Sequence, residues 1–173
     1  MIVTVLNQKG GVGKTTTVIN VGVFLAKAGK KVLLVDLDPQ ANLTSGLGVS
    51  VPYGNTDITG KDSKARTVYD VLVNERTVNE VFLSTDTKNL YILPSGIELS
   101  GAEVEMVSMM SRESVLQKAL QPISSDYDYI IIDCPPSLGI LTVNALVAAE
   151  KVLVPIQCEY FALEGLGQLM NTI

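Results

Sequence analysis

The chain has 173 residues, 47% of them apolar, with three Phe, no Trp and a net charge of −5. That length suits one domain able to bury roughly 70% of its unfolded surface around an aliphatic core. The absence of histidine excludes imidazole-based acid–base chemistry in this chain, two cysteines are too few for a disulfide framework or a four-ligand zinc site, and the short, interrupted apolar runs predict no membrane span.

In chain order, residues 2–6 read as a strand and residues 14–28 as a helix, with Gly29 placed for a left-handed stop. Residues 32–35 form a short continuous apolar run, as expected of a strand buried on both faces. Residues 44–66, rich in Gly, Ser, Thr and Asp, read as a mobile loop. Short helices are predicted over 67–73 and 78–83 and a strand over 90–93. Residues 103–120 read as one or two amphipathic helices with Val104, Val107, Val115 and Leu116 on the apolar face, and the nearby Met106, Met109 and Met110 as helix core. A strand over 129–132 ends in Asp133, a helix over 139–149 has Ser137 as its cap, and a last strand covers 152–155. This alternation predicts an α/β fold, a three-layer α/β/α arrangement around a mainly parallel sheet. Apolar positions Leu163, Leu166, Leu169, Met170 and Ile173 then recur at helical spacing up to the last residue. The expectation is a single domain over 1–173 that is truncated at its C-terminus.

Chemistry concentrates between the first strand and the first helix, in residues 9–16, Lys-Gly-Gly-Val-Gly-Lys-Thr-Thr. A strand, a glycine loop and a helix form a P-loop, whose backbone N–H groups cradle a polyphosphate at the positive end of the new helix. Lys9, Gly10, Gly11, Val12, Gly13, Lys14, Thr15 and Thr16 are therefore the nucleotide-binding set, with Lys14 on the β- and γ-phosphates and Thr15 on Mg²⁺. The ordinary eight-residue pattern would place glycine at position 8, where Gln8 stands; a second lysine, Lys9, precedes the glycines instead. Asp36, Asp38 and Asp133 all fall at the C-terminal ends of predicted strands, the edge at which open α/β sheets hold ligands. Solvated turn carboxylates are the alternative reading of Asp36 and Asp38, and a cap on the Pro-Pro turn is that of Asp133. Cys134 and Cys158 read as small core residues.

The P-loop together with Val35-Asp36-Leu37-Asp38-Pro39-Gln40, Ile132-Asp133-Cys134-Pro135-Pro136-Ser137 and the block at 154–160 resembles the deviant Walker A ATPases of the ParA/Soj/MinD group. The likeness is closest to the partition ATPases ParA and Soj, and it covers the whole chain apart from a loosely matched stretch near 49–66. The resemblance implies a P-loop NTPase fold, ATP and Mg²⁺ as cofactors, and slow, partner-stimulated hydrolysis. It implies that Lys9 reaches the nucleotide of a second subunit across an ATP-dependent homodimer, and that Gly10 permits the close approach. Lys9, Lys14 and Asp38 are then the catalytic residues, Asp38 orienting the attacking water in switch I. Thr15, Asp36 and Asp133 belong to the metal site, and Pro135 and Pro136 to switch II. The implied partners are a ParB-like centromere-binding protein and nonspecific DNA, with no membrane, in a cytoplasmic and nucleoid-associated setting. With 13 basic against 18 acidic residues, any DNA-binding patch is expected outside this chain or only on dimerisation. A MinD-like positioning ATPase on a membrane surface and a nonhydrolysing nucleotide-binding module are the alternatives.

Overall fold

The computed structural model describes residues 1–51, 66–158 and Gly167. The terminal apolar positions Leu163, Leu166, Leu169, Met170 and Ile173, and most of the loop expected over 44–66, lie outside the described residues. Six strands form one sheet in the order β3-β4-β2-β5-β1-β6, with β1 Ile2–Val5, β2 Val32–Asp36, β3 Leu83–Ser84, β4 Leu90–Leu93, β5 Tyr129–Asp133 and β6 Lys151–Leu153. Every pairing is parallel except β3 with β4. Among the described residues no helix is long and apolar enough to cross a membrane.

Both faces of the central strands are covered, so each strand sorts its side chains by twos. Val32, Leu34 and Ile131 point to one core, shared with Val18 and Ala26 of α1 (Lys14–Lys27) and Leu43 of α2 (Asn42–Gly46). Leu33, Val35, Ile130 and Ile132 point to the other, shared with α3 (Val68–Leu72), α4 (Val78–Val81), α5 (Leu99–Glu105), α6 (Val115–Leu120) and α7 (Ile140–Ala148). The same alternation carries Asp36 and Asp133 onto the α1 side. Helix α1 lies so close to β2 that a Cβ on Gly22 would stand 2.8 Å from one terminal carbon of Leu34. Gly29 adopts φ 85° and ends α1 as its position predicts.

Several elements differ from the sequence-based expectation. The helix expected over 78–83 stops at Val81; Phe82 turns extended, and Leu83 and Ser84 pair with β4 as an antiparallel edge. The loop expected from residue 44 begins with helix α2 instead. Of the one or two helices expected over 103–120 the structure has two, but α5 starts earlier at Leu99, and Ser111, at φ 53°, breaks the path before α6. Met106 and Leu116 are buried as expected, together with Leu99, Ala102 and Leu120, whereas Val104, Val107 and Met110 face solvent. Ser137 does not cap α7; its carbonyl accepts the Thr142 hydroxyl at 2.6 Å, and Gly139 precedes the helix. Cys134 is buried as expected but Cys158 is exposed.

Leu34 is fully buried and cannot move aside easily. Gly22→Val should therefore cost about 2 kcal/mol of stability through overpacking, read as a lower urea midpoint. An unchanged midpoint would contradict the close α1–β2 contact.

Candidate functional site

β1 delivers the chain into a tight bend before α1 begins at Lys14. Gly11 and Gly13 sit at φ 75° and 88°, a region side chains disfavour, and a Cβ on Gly10, Gly11 or Gly13 would meet nothing within 4 Å. The bend thus borders open space. Two amide side chains hold its shape. Asn7 accepts the Lys9 N–H at Oδ1 (3.0 Å) and donates through Nδ2 to the Pro155 carbonyl (2.8 Å), while Gln157 donates to the Gly11 carbonyl (3.2 Å). Lys14 is buried, with its ammonium 3.5 Å from the Lys9 carbonyl. Lys9 is exposed, and Val12 turns its side chain inward.

A cleft of about 610 Å³ opens over this bend, lined among others by Gly10, Gly13, Lys14, Thr15, Thr16 and Asp38. Asp38 is half-buried and accepts the Gln40 N–H at 2.9 Å, which closes a local turn. Strand register places the other two carboxylates beneath. Asp133 pairs with Val5 on one side and with Asp36 on the other, so three strand ends converge on the start of α1.

The two buried carboxylates have different surroundings. Asp36 accepts the Asp38 N–H (3.1 Å) on Oδ1 and both the Thr44 N–H (2.9 Å) and the Thr44 hydroxyl (2.7 Å) on Oδ2. Burial raises its pKa to about 6 against the pull of the Thr44 and Asp38 donors. Neither oxygen of Asp133 has a donor at hydrogen-bonding geometry. Burial pushes its pKa up to about 7; the neighbouring Thr15 hydroxyl and Lys14 ammonium oppose this, and the charges of Asp36 and Asp38 add to it. Cys134 is engaged with Thr4 (3.0 Å) and its thiol is pushed up to about 12 by burial, so it is not a nucleophile.

Buried carboxylate oxygens are normally paired, and an orphaned pair beside a hydroxyl and an ammonium fits a cation brought in with a polyphosphate. Among the described residues no group of three or more carboxylates or thiols is placed to hold a metal alone. Magnesium in P-loop sites takes most of its ligands from phosphates and water, so one carboxylate and one hydroxyl suffice. Asp133 and Thr15 meet that requirement. Asp36, grouped with the metal site on sequence, has three donors on its oxygens and is engaged in holding its own loop.

Sequence reasoning overlooked Ile19 and Asn42 in the cleft wall, and the bracing by Asn7 and Gln157. The alternation Asp38, Gln40, Asn42 along one loop was a usable signal for the first wall. The bracing joins residues 148 and 146 apart in sequence and had no local signal.

A family model described as an AAA domain matches residues 1–173. The sporulation initiation inhibitor protein Soj of Bacillus subtilis is 52% identical over 172 residues, covering 99% of this chain and 64% of that protein. Among solved structures, a plasmid partition protein from Borrelia burgdorferi superposes with a TM-score of 0.82 at 32% identity, covering 99% of this chain and 71% of that one. Cobyrinic acid a,c-diamide synthase from Mycobacterium smegmatis, with bound ADP and magnesium, does so with a TM-score of 0.88 at 44% identity, covering 99% and 66%. The chain spans 57% to 64% of the length of the first curated relatives it matches.

The Asp133 environment generates a pH dependence. Its folded pKa lies above the unfolded value, so the folded state binds the proton more tightly, and stability present below about pH 4 is lost as pH rises through 7. The loss reaches at most roughly 4 kcal/mol, with a smaller contribution of the same sign from Asp36. Urea denaturation of the ligand-free protein should give lower stability at pH 8 than at pH 5, and Asp133→Asn should remove most of the difference. An equal pH slope in the variant would refute the assignment.

Proposed function

The chain belongs to the ParA/Soj family of P-loop partition ATPases, and from that membership we propose that it is an ATP-dependent dimerisation switch with slow, Mg²⁺-dependent ATPase activity. The observation that carries this reading is the open glycine cradle over the unpartnered, buried carboxylate of Asp133. The cargo is a chromosome or a plasmid, and the natural setting is the cytoplasm and nucleoid.

The chain's residues divide the work. Backbone N–H groups of residues 10–16 and the positive end of α1 hold the phosphates, with Lys14 neutralising the β- and γ-phosphate oxygens. Thr15 and Asp133 would hold Mg²⁺, which when bound offsets charge on the transferring phosphoryl group. Asp38 accepts a hydrogen bond from the attacking water and aims it at the γ-phosphorus; the new P–O bond forms as the bond to the ADP oxygen breaks, and the water's proton leaves with the released phosphate. Lys9, exposed beside the cleft, supplies its ammonium to the nucleotide of a second copy, which makes hydrolysis depend on assembly. A late cation of this kind is worth roughly 10³- to 10⁵-fold in P-loop enzymes. A ParB-like protein then stimulates turnover. Nonspecific DNA binding belongs to the assembled dimer of the full-length protein, since a net charge of −5 opposes DNA binding by this chain alone.

Light scattering and phosphate release test the switch together. ATP with Mg²⁺ should convert monomer to dimer, and Asp38→Ala should retain the dimer while hydrolysis falls at least about 100-fold. Lys9→Ala should lose hydrolysis while retaining nucleotide binding. A chain that stays monomeric at saturating ATP, or a Lys9→Ala variant with unchanged turnover, would overturn the reading. Phosphate release without any carboxylic acid co-substrate separates it from the synthase activity named for the mycobacterial relative.

A further inference from the structure

The segment after β2 leaves the sheet and returns with both ends fastened to one carboxylate. Asp36 Oδ1 takes the Asp38 N–H at the start, and Oδ2 takes the N–H and hydroxyl of Thr44 at the end. The Thr44 hydroxyl in turn accepts the Ser95 N–H at 3.0 Å, just beyond β4. Its single proton therefore goes to Asp36 while a lone pair serves Ser95. Asp36, Thr44 and Ser95 are 0%, 3% and 2% exposed, although Thr44 and Ser95 border a cleft of about 300 Å³.

Within the loop, the Gln40 N–H bonds the Asp38 carboxylate and the Ala41 N–H its carbonyl (both 2.9 Å), while the Leu37 N–H reaches the Asp133 carbonyl at 3.0 Å. Leu37 and Leu43 bury into opposite cores at its two ends. Between them Asp38 and Gln40 face the 610 Å³ cleft, and a second cleft of about 300 Å³, lined by Pro39, Ala41, Ser45 and Ile97, lies on the other side. Among the described residues, then, the buried Leu37 fixes the chain just before Asp38, and hydrogen bonds hold the stretch from Asp38 to Thr44.

We propose that Thr44, acting through Asp36, is a positioning residue that clasps this loop and presents the Asp38 carboxylate to the reacting phosphate. The inference rests on the reading of Asp38 as the group that aims the attacking water. Thr44 does not line the 610 Å³ cleft over the glycine bend. Its hydroxyl ties the ends of β2 and β4 to α2, and the loop hangs between them. The phosphate cradle rides on β1 and α1, outside the clasp, so phosphate binding does not need it.

Two isosteric variants separate positioning from folding. Thr44→Val keeps the shape and loses the hydroxyl; Thr44→Ser keeps the hydroxyl. Thr44→Val should lower kcat roughly 10- to 100-fold, the effect of losing a hydrogen bond to a charged group, with ATP affinity within about threefold of wild type. Thr44→Ser should restore kcat to within about threefold. Amide hydrogen exchange reads the clasp independently of turnover: residues 37–43 should exchange faster in Thr44→Val but not in Thr44→Ser, with residues 9–16 unchanged in both. Wild-type kcat in Thr44→Val overturns the proposal, as does unchanged protection of residues 37–43. A parallel loss of kcat and ATP affinity that serine fails to rescue also overturns it. A wild-type chain that releases no phosphate at all defeats the ATPase reading instead, and the exchange measurement then decides the clasp.

Discussion

Two aspartates are held out of water side by side at the ends of β2 and β5, and the rest of the molecule is arranged around their charge. Burial of a carboxylate is costly unless donors or a cation meet it. Asp36 is met by three donors from its own loop. Neither oxygen of Asp133 has a donor at full hydrogen-bonding geometry, and the nearby Thr15 hydroxyl and Lys14 ammonium offset its charge only in part. A fold that keeps one carboxylate satisfied and its neighbour unsatisfied stores instability at the place where a positively charged ligand relieves it. That asymmetry, three donors on Asp36 and none at full geometry on Asp133, separates two residues of the same type.

Topology produces the juxtaposition. β5 inserts between β1 and β2, so the ends of three strands far apart in sequence lie in one row. The row coincides with the crevice at which open parallel sheets place ligands. α1 starts there and aims its positive end at the same point. The segment after β6 then contributes from the far side through Pro155 and Gln157, whose contacts hold the glycine bend in shape. The bend is therefore set by chain at both ends of the described structure, not by its glycines alone.

Much of this was readable before the structure. The short apolar runs at 32–35 and 129–132 read as strands buried on both faces, with the aspartates at their C-terminal ends. The glycines and lysines of 9–16 marked the bend because few other structures need that spacing. The unread parts share a cause, dependence on distant partners. β3 has two residues and exists by pairing with β4, so no local propensity announces it. Ser111 breaks the helical path with a left-handed residue that composition does not flag. The error over Val104 and Val107 was one of frame: Leu99, Ala102 and Met106 carry the buried i, i+3, i+7 spacing, which is visible once the helix starts at 99. The role of Asp36 depends on Thr44, eight residues on, and through it on Ser95, 51 residues beyond that.

The most direct measurement is a crystal structure of this chain with magnesium and a nonhydrolysable ATP analogue. The account predicts phosphates lodged against the N–H groups of residues 10–16, with the cation facing Asp133 and Thr15 while Asp36 keeps its Thr44 and Asp38 partners. Nucleotide bound elsewhere, or bound with both oxygens of Asp133 still without a partner, would contradict it.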